Sequence, residues 1–177
     1  MTQHRRINGL AGDERGVAAI EFAVMAPFLM LIWLGAVEAC ALLQASDKTL
    51  SAAYTVADLT AQGTTQTQAN LNSIVSAAQQ VMSPLPTTLG PLSIAVASVT
   101  FDAITGKPAT AWTFTAGNQA PAIDPTIANN LGGPGASVII TKVKYTYQSY
   151  ITFLENQMTF NETAISRPRF VNQIPLN

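Results

Sequence analysis

The chain has 177 residues, 48% hydrophobic and 11% charged, with nine Lys and Arg against ten Asp and Glu for a formal net charge of −1. That balance offers no electrostatic footprint for nucleic acid, and a single cysteine, Cys40, excludes an intramolecular disulfide. The single histidine, His4, lies at the extreme N-terminus, so a Ser-His-Asp site or a Cys/His zinc set lacks its residues, and an enzyme is not expected.

His4, Arg5, Arg6 and Arg15 precede a run from Phe22 to Val37 that contains no charged residue. Taken as one helix, Val17 to Leu43 is about 40 Å long at ~1.5 Å per residue. That length crosses a bilayer core of ~30 Å with some tilt. Only Lys48 follows in the first stretch beyond, so the charge asymmetry places residues 1–16 in the cytoplasm and exports the remainder.

Glu21 falls just inside this span. A carboxylate at the bilayer centre costs roughly 2.5 kcal/mol or more, and less near the interface, which makes Glu21 a candidate functional residue in need of a partner. The competing reading is an acid that snorkels to water. Glu38, about 26 Å further along the helix, is expected to be a solvated acid at the outer headgroups. Pro27 removes one backbone hydrogen bond within the span and is expected to kink it.

Other export signals fit less well. A secretory signal has an apolar core of about 7–15 residues, shorter than this run, and Ala36-Val37-Glu38-Ala39 is a poor cleavage site. Val37-Glu38-Ala39-Cys40 carries a glutamate that lipoprotein boxes lack, and Arg5-Arg6 lies too far from the apolar run for a twin-arginine signal.

Past the span, Leu43, Leu50, Tyr54 and Ala57 keep helical spacing until Gly63 ends it. Leu71, Ile74, Val75, Ala78 and Met82 mark a second, amphipathic helix that must stop before Pro84. Four segments rich in β-branched or aromatic residues follow, Leu92 to Ala103, Ala111 to Thr115, Ser137 to Tyr150 and Gln157 to Ile165. In the third, Ile139, Val143, Tyr145 and Tyr147 alternate with Lys142, Lys144 and Thr146, which predicts one packed face and one wet face. Thr105-Gly106-Lys107-Pro108 reads as a hairpin turn and Ala116 to Gly135 as a long surface loop.

The expected fold is therefore α+β: a long N-terminal transmembrane and stalk helix, a second amphipathic helix, and a C-terminal antiparallel β-sheet head. The expected organisation is a leader at 1–16, a transmembrane helix at 17–43, its exported extension at 44–62 and a head at 63–177. Asp102, Asp124, Glu155 and Glu162 are too scattered to indicate paired carboxylates. Gly132-Gly133-Pro134-Gly135 is no phosphate loop, since no Lys-Ser/Thr follows. No cofactor or metal is expected.

One group of residues carries a resemblance. A short basic leader, Gly16, four small or apolar residues, then Glu21 and the aromatic Phe22 at the head of the span is similar to a type IV prepilin. In detail, Asp13 to Ala23, then Pro27-Phe28-Leu29, resembles the TadE-like family of Tad (Flp) pilus systems. Ala57-Asp58-Leu59-Thr60-Ala61-Gln62, and further on Tyr145-Thr146-Tyr147 and Arg167-Pro168-Arg169, look like that family too. The likeness covers roughly a third of the chain, from the leader through Gln62.

The resemblance implies a pseudopilin or minor pilin of the inner membrane, cut between Gly16 and Val17 by a prepilin peptidase. Its other implied partners are further pilin subunits and the inner-membrane assembly platform of an adhesive pilus. It also implies that Glu21, one turn from the new amine of Val17, meets the amine of a neighbouring subunit, which neutralises both charges and sets register. Phe22 stands where that family often has Tyr, keeping the ring without the hydroxyl. Removing residues 1–16 takes away three basic and two acidic residues, changing the net charge from −1 to −2. The reading from another class is an uncleaved, single-span membrane protein that acts as a periplasmic scaffold or binding module.

Overall fold

A 48-residue helix, α1 (Arg15–Gln62), opens the described part of the chain and continues unbroken through Pro27. The structure, a computed structural model, describes residues 15–88, 90–149 and 157–177; the leader residues 1–14, Tyr150 and Glu155 lie outside them. Two compact units divide the chain, Met1–Cys40 and Ala41–Asn177. The described part of the first unit is the apolar first half of α1, and the second unit holds the rest of the fold.

In the second unit, α1 buries a stripe of small side chains, Ala45, Thr49, Ala52, Ala53, Val56, Thr60 and Ala61. Their spacing of three and four residues puts them on one helix face, and their size lets the helix approach its neighbours closely. The helix stops at Gly63 because a side chain there would collide with the amide of Gln66, which folds back to donate to the Thr60 carbonyl oxygen at 2.9 Å. Next comes α2 (Gln68–Met82). Its N-cap is Thr67, whose hydroxyl oxygen accepts from the Asn70 N–H at 3.2 Å. It buries Leu71, Ile74, Ala78 and Met82, as the amphipathic spacing predicts, and ends at Ser83 just before Pro84.

Four strands follow, β1 (Leu92–Phe101), β2 (Pro108–Ala116), β3 (Ser137–Gln148) and β4 (Gln157–Ser166), in one sheet of order β2-β1-β3-β4. All three pairings are antiparallel. Ile94, Val96, Ile139, Val143 and Tyr145 face the core that contains the α1 stripe and the α2 face. The second strand starts at Pro108, earlier than its β-branched residues predict. Pairing with Phe101 and Thr100 recruits Pro108 and Ala109 into the ladder, and a bulge follows at Ser98/Val99.

The expectation of one wet sheet face needs correcting at one end. Ala97, Val99, Phe101, Val138 and Ile140 are buried on that face beneath Ala128, with Ile123 and Leu131 beside it. The stretch read as a surface loop thus closes over the sheet, using a short 3₁₀ turn at Pro125–Ala128. Gly132 is required there because a Cβ would overlap the Phe101 ring. Further along β3, Lys142 and Lys144 tie the same loop down by donating to the Ala122 carbonyl at 3.0 Å and the Gln119 side-chain carbonyl at 2.7 Å.

The tail crosses the other side. Trp112 Nε1 donates to the Ile174 carbonyl at 2.7 Å, Ser137 Oγ to that of Asn172 at 2.8 Å, and Gln66 forms a parallel bridge with Leu176. Ile174 is buried in the main core.

Candidate functional site

Every residue singled out near the N-terminus lies on the first half of α1. Gly16 and Val17 stand one and two residues into the helix, Glu21 one turn beyond Val17, Phe22 next to it, and Pro27 further along. All five are exposed, Phe22 by 67%. Glu21 has no hydrogen bond or ion pair among the described residues. The space around Gly16 is open, with no atom within 4 Å of where a Cβ would stand.

The apolar side chains between them share that exposure. Ile20, Phe28, Leu29, Met30, Ile32 and Trp33 are all more than half exposed on the helix surface. Monomeric soluble proteins rarely show a contiguous apolar surface of this extent, which marks a membrane or interaction site. Among the described residues, one helix is long and apolar enough to cross a membrane, and it is α1.

Glu38 differs from expectation. It was to be a solvated acid, yet only 6% of it is exposed, and its Oε1 has no hydrogen-bond partner. Helical spacing explains this: Glu38 precedes Ala41, Leu42, Ala45 and Thr49 by three, four, seven and eleven residues, which puts it on the face that continues as the buried stripe. The periodicity was present in the sequence, but interfacial depth was the stronger signal there.

The two distal fragments of the resemblance, far apart in sequence, meet in space. Arg169 forms an ion pair with Asp58, and its backbone N–H donates to the Ala61 carbonyl oxygen at 3.1 Å. Asp58 also accepts from Gln62 Nε2 at 2.7 Å. Arg167 donates to the Leu131 carbonyl, pinning the loop over the second sheet face. These contacts fasten the tail to α1 and to the loop, a structural role. Beside them lies an open groove of ≈ 410 Å³, lined by Tyr54, Thr55, Ala57, Asp58, Ile165 and Ser166.

The head acids organise turns. Asp102 accepts from the Thr105 N–H at 2.6 Å, the Thr105 hydroxyl at 2.8 Å and the Ile104 N–H at 3.0 Å, and these bonds hold its carboxyl below the usual range. Asp124 is likewise lowered, by the Thr126 hydroxyl and then its N–H, with Lys142 adding a smaller pull. Among the described residues no group of three His, Cys, Asp or Glu is placed to hold a metal ion.

Residues 16–58 match the family model described as TadE-like protein. The match begins at Gly16, takes in Val17, Glu21, Phe22 and Pro27, and ends at Asp58. This family is a structural component of pili rather than an enzyme family, and it points to a pilin-like protein associated with a Tad pilus, with an N-terminal helix suited to membrane anchoring. No curated protein and no solved structure matches the chain.

Proposed function

We propose that this protein is a pseudopilin or minor pilin of a Tad (Flp) pilus, held in the inner membrane by residues 17–43 with its head outside the cytoplasm. A prepilin peptidase cuts it between Gly16 and Val17. The observation that carries the reading is the unbroken exposed apolar surface of α1 that begins at Gly16 and coincides with the matched segment. Such a surface suits lipid first and neighbouring helices later, because both environments satisfy apolar side chains while the helix supplies its own backbone hydrogen bonds.

In this reading Gly16 gives the peptidase a residue without a side chain at the cut. Val17 then presents a new amine one turn from Glu21. An amine and a carboxylate, each costly to bury alone, become tolerable together when one comes from a neighbouring subunit. Phe22 and the larger apolar residues pack between helices. The partners are then the peptidase, other pilin subunits and the inner-membrane assembly platform, and the pilus is an adhesive one.

The test uses two substitutions in a host with a Tad system. Gly16→Leu is expected to leave the chain uncut and abolish its contribution to piliation, whereas Glu21→Ala is expected to be cut normally but to assemble poorly. Normal cutting and piliation with Gly16→Leu contradicts the proposal and favours an uncleaved, membrane-anchored scaffold.

A further inference from the structure

Three features of the second unit remain unused by the reading above: a bare sheet edge, the groove at one end of it, and an isoleucine presented on a stiff turn. β4 is an edge strand of ten residues with no proline, no lysine and an unbroken register against β3. Among the described residues none of its backbone groups bonds outside that ladder. Natural sheets usually blunt such edges, so a bare one is a template for another strand. The opposite edge, β2, also lacks an outer backbone partner among the described residues and carries no charged residue.

Ile104 is 91% exposed at the tip of the β1–β2 turn. Its position is fixed by the three bonds to the Asp102 carboxylate and by Gly106 N–H donating to the Asp102 carbonyl at 2.9 Å. A rigid loop that displays an apolar side chain to water has the form of an anchor without its socket.

We infer that β2 of one copy pairs antiparallel with β4 of the next, seating Ile104 in the groove between α1 and the end of β4. Strand direction supports this. Every neighbour in the order β2-β1-β3-β4 is antiparallel, so the two edges run in opposite directions, and copies set side by side continue the alternation. Antiparallel pairing of β4 with another β4, about a two-fold axis normal to the sheet, would reverse the 41–62 helix of one copy. Side-by-side copies keep these helices parallel on one face, as chains anchored in one membrane require.

The ends also agree. An antiparallel β2 must begin where β4 finishes, at Ile165 and Ser166, and these two residues line the groove. Full overlap of nine residues on ten carries the turn before Pro108 to that end. Ile104 then meets Tyr54, Ala57 and Ile165, and Lys107 arrives beside the half-exposed carboxylate of Asp58. β4 offers Glu162 as its single charge and β2 offers none, so no like charges are opposed along the ladder. The contact is head-to-tail and does not close on itself, so it propagates. The inference borrows from the proposed function only that copies share one membrane.

The experiment uses the full chain in membranes with Cys40→Ser, adding Thr55→Cys in the groove and Thr105→Cys on the turn. Mild oxidation is expected to give a ladder of dimers, trimers and higher species from the double variant and none from either single variant. Adding Ile104→Asp is expected to reduce cross-linking about tenfold or more, since burial of an isoleucine is worth ~1.5–3 kcal/mol and each ~1.4 kcal/mol is tenfold. Circular dichroism checks that the head stays folded. No ladder, an unchanged ladder with Ile104→Asp, or dimers from Thr105→Cys alone overturns the inference. A chain cut normally after Gly16 but giving no ladder removes only this inference, whereas a ladder from a chain that is never cut removes only the preceding proposal.

Discussion

The two halves of α1 solve opposite problems with one secondary structure. From Gly16 to Val37 the helix carries large apolar side chains, with Ile32 70% and Trp33 64% exposed. From Ala45 to Ala61 its inward face is almost entirely alanine and threonine, fully buried. Large side chains suit a surroundings that can rearrange, such as lipid or a shifting set of helices, because they gain contact area without demanding a fixed partner. Small ones suit a fixed partner, because they let a backbone lie close to a sheet that is already shaped. Helix propensity does not distinguish the halves; side-chain size does.

That contrast can be broken first with charge. Val56→Asp, in the buried stripe, leaves an unpaired carboxylate in the core and is expected to unfold the head, at a cost above ~3 kcal/mol. Ile32→Asp is expected to leave urea unfolding of the head unchanged while lowering membrane insertion by roughly 2.5–3.5 kcal/mol. Equal effects of both on urea midpoints would erase the difference between the halves.

A gentler probe changes volume alone. Ala53→Leu overpacks the stripe and is expected to cost about 1–3 kcal/mol, whereas Ala23→Leu on the exposed half is expected to stay within roughly 0.5 kcal/mol of the parent. Gly132→Ala sharpens the same point for the far side of the sheet. It is expected to cost about 1–3 kcal/mol, because the Phe101 ring occupies the space and is itself buried.

Smaller effects belong to the surface. Arg169→Ala removes an exposed ion pair and is expected to change stability by less than about 1 kcal/mol, read from the urea midpoint. The turn acids Asp102 and Asp124 are lowered in the folded state, so each contributes stability that is fully present above its unfolded value. That contribution fades as pH falls through the lower folded value. Asp102→Asn is expected to flatten the acid limb of the stability profile slightly and to leave the neutral range nearly flat.

Much of the fold was legible in the sequence where one period dominates. The apolar run, the α2 stripe from Leu71 to Met82 and the alternation around Val143 and Tyr145 each name their element and its face. What escaped has a common cause, dependence on partners distant in the chain. Pro108 and Ala109 become strand only because Phe101 and Thr100 lie opposite them. Ile123, Ala128 and Leu131 follow no period, so nothing local reveals that they cover Phe101 and Ile140. The ion pair of Asp58 with Arg169 joins fragments that sequence could place in one family but not in one location.

The candidate site was legible for a different reason. Gly16, Val17, Glu21 and Phe22 touch nothing else in the fold that explains their identity, so their meaning lies in their order and spacing and not in packing. Glu38 is the reverse: depth along the helix suggested water, and the helix face decided its burial.

The most direct measurement is the intact mass and N-terminal sequence of the protein recovered from membranes of a host that carries its own prepilin peptidase. A chain that begins at Val17 is the predicted result. A chain that still carries the leader contradicts the account and makes the protein an uncleaved membrane-anchored scaffold, and one that begins at Cys40 makes it a lipoprotein.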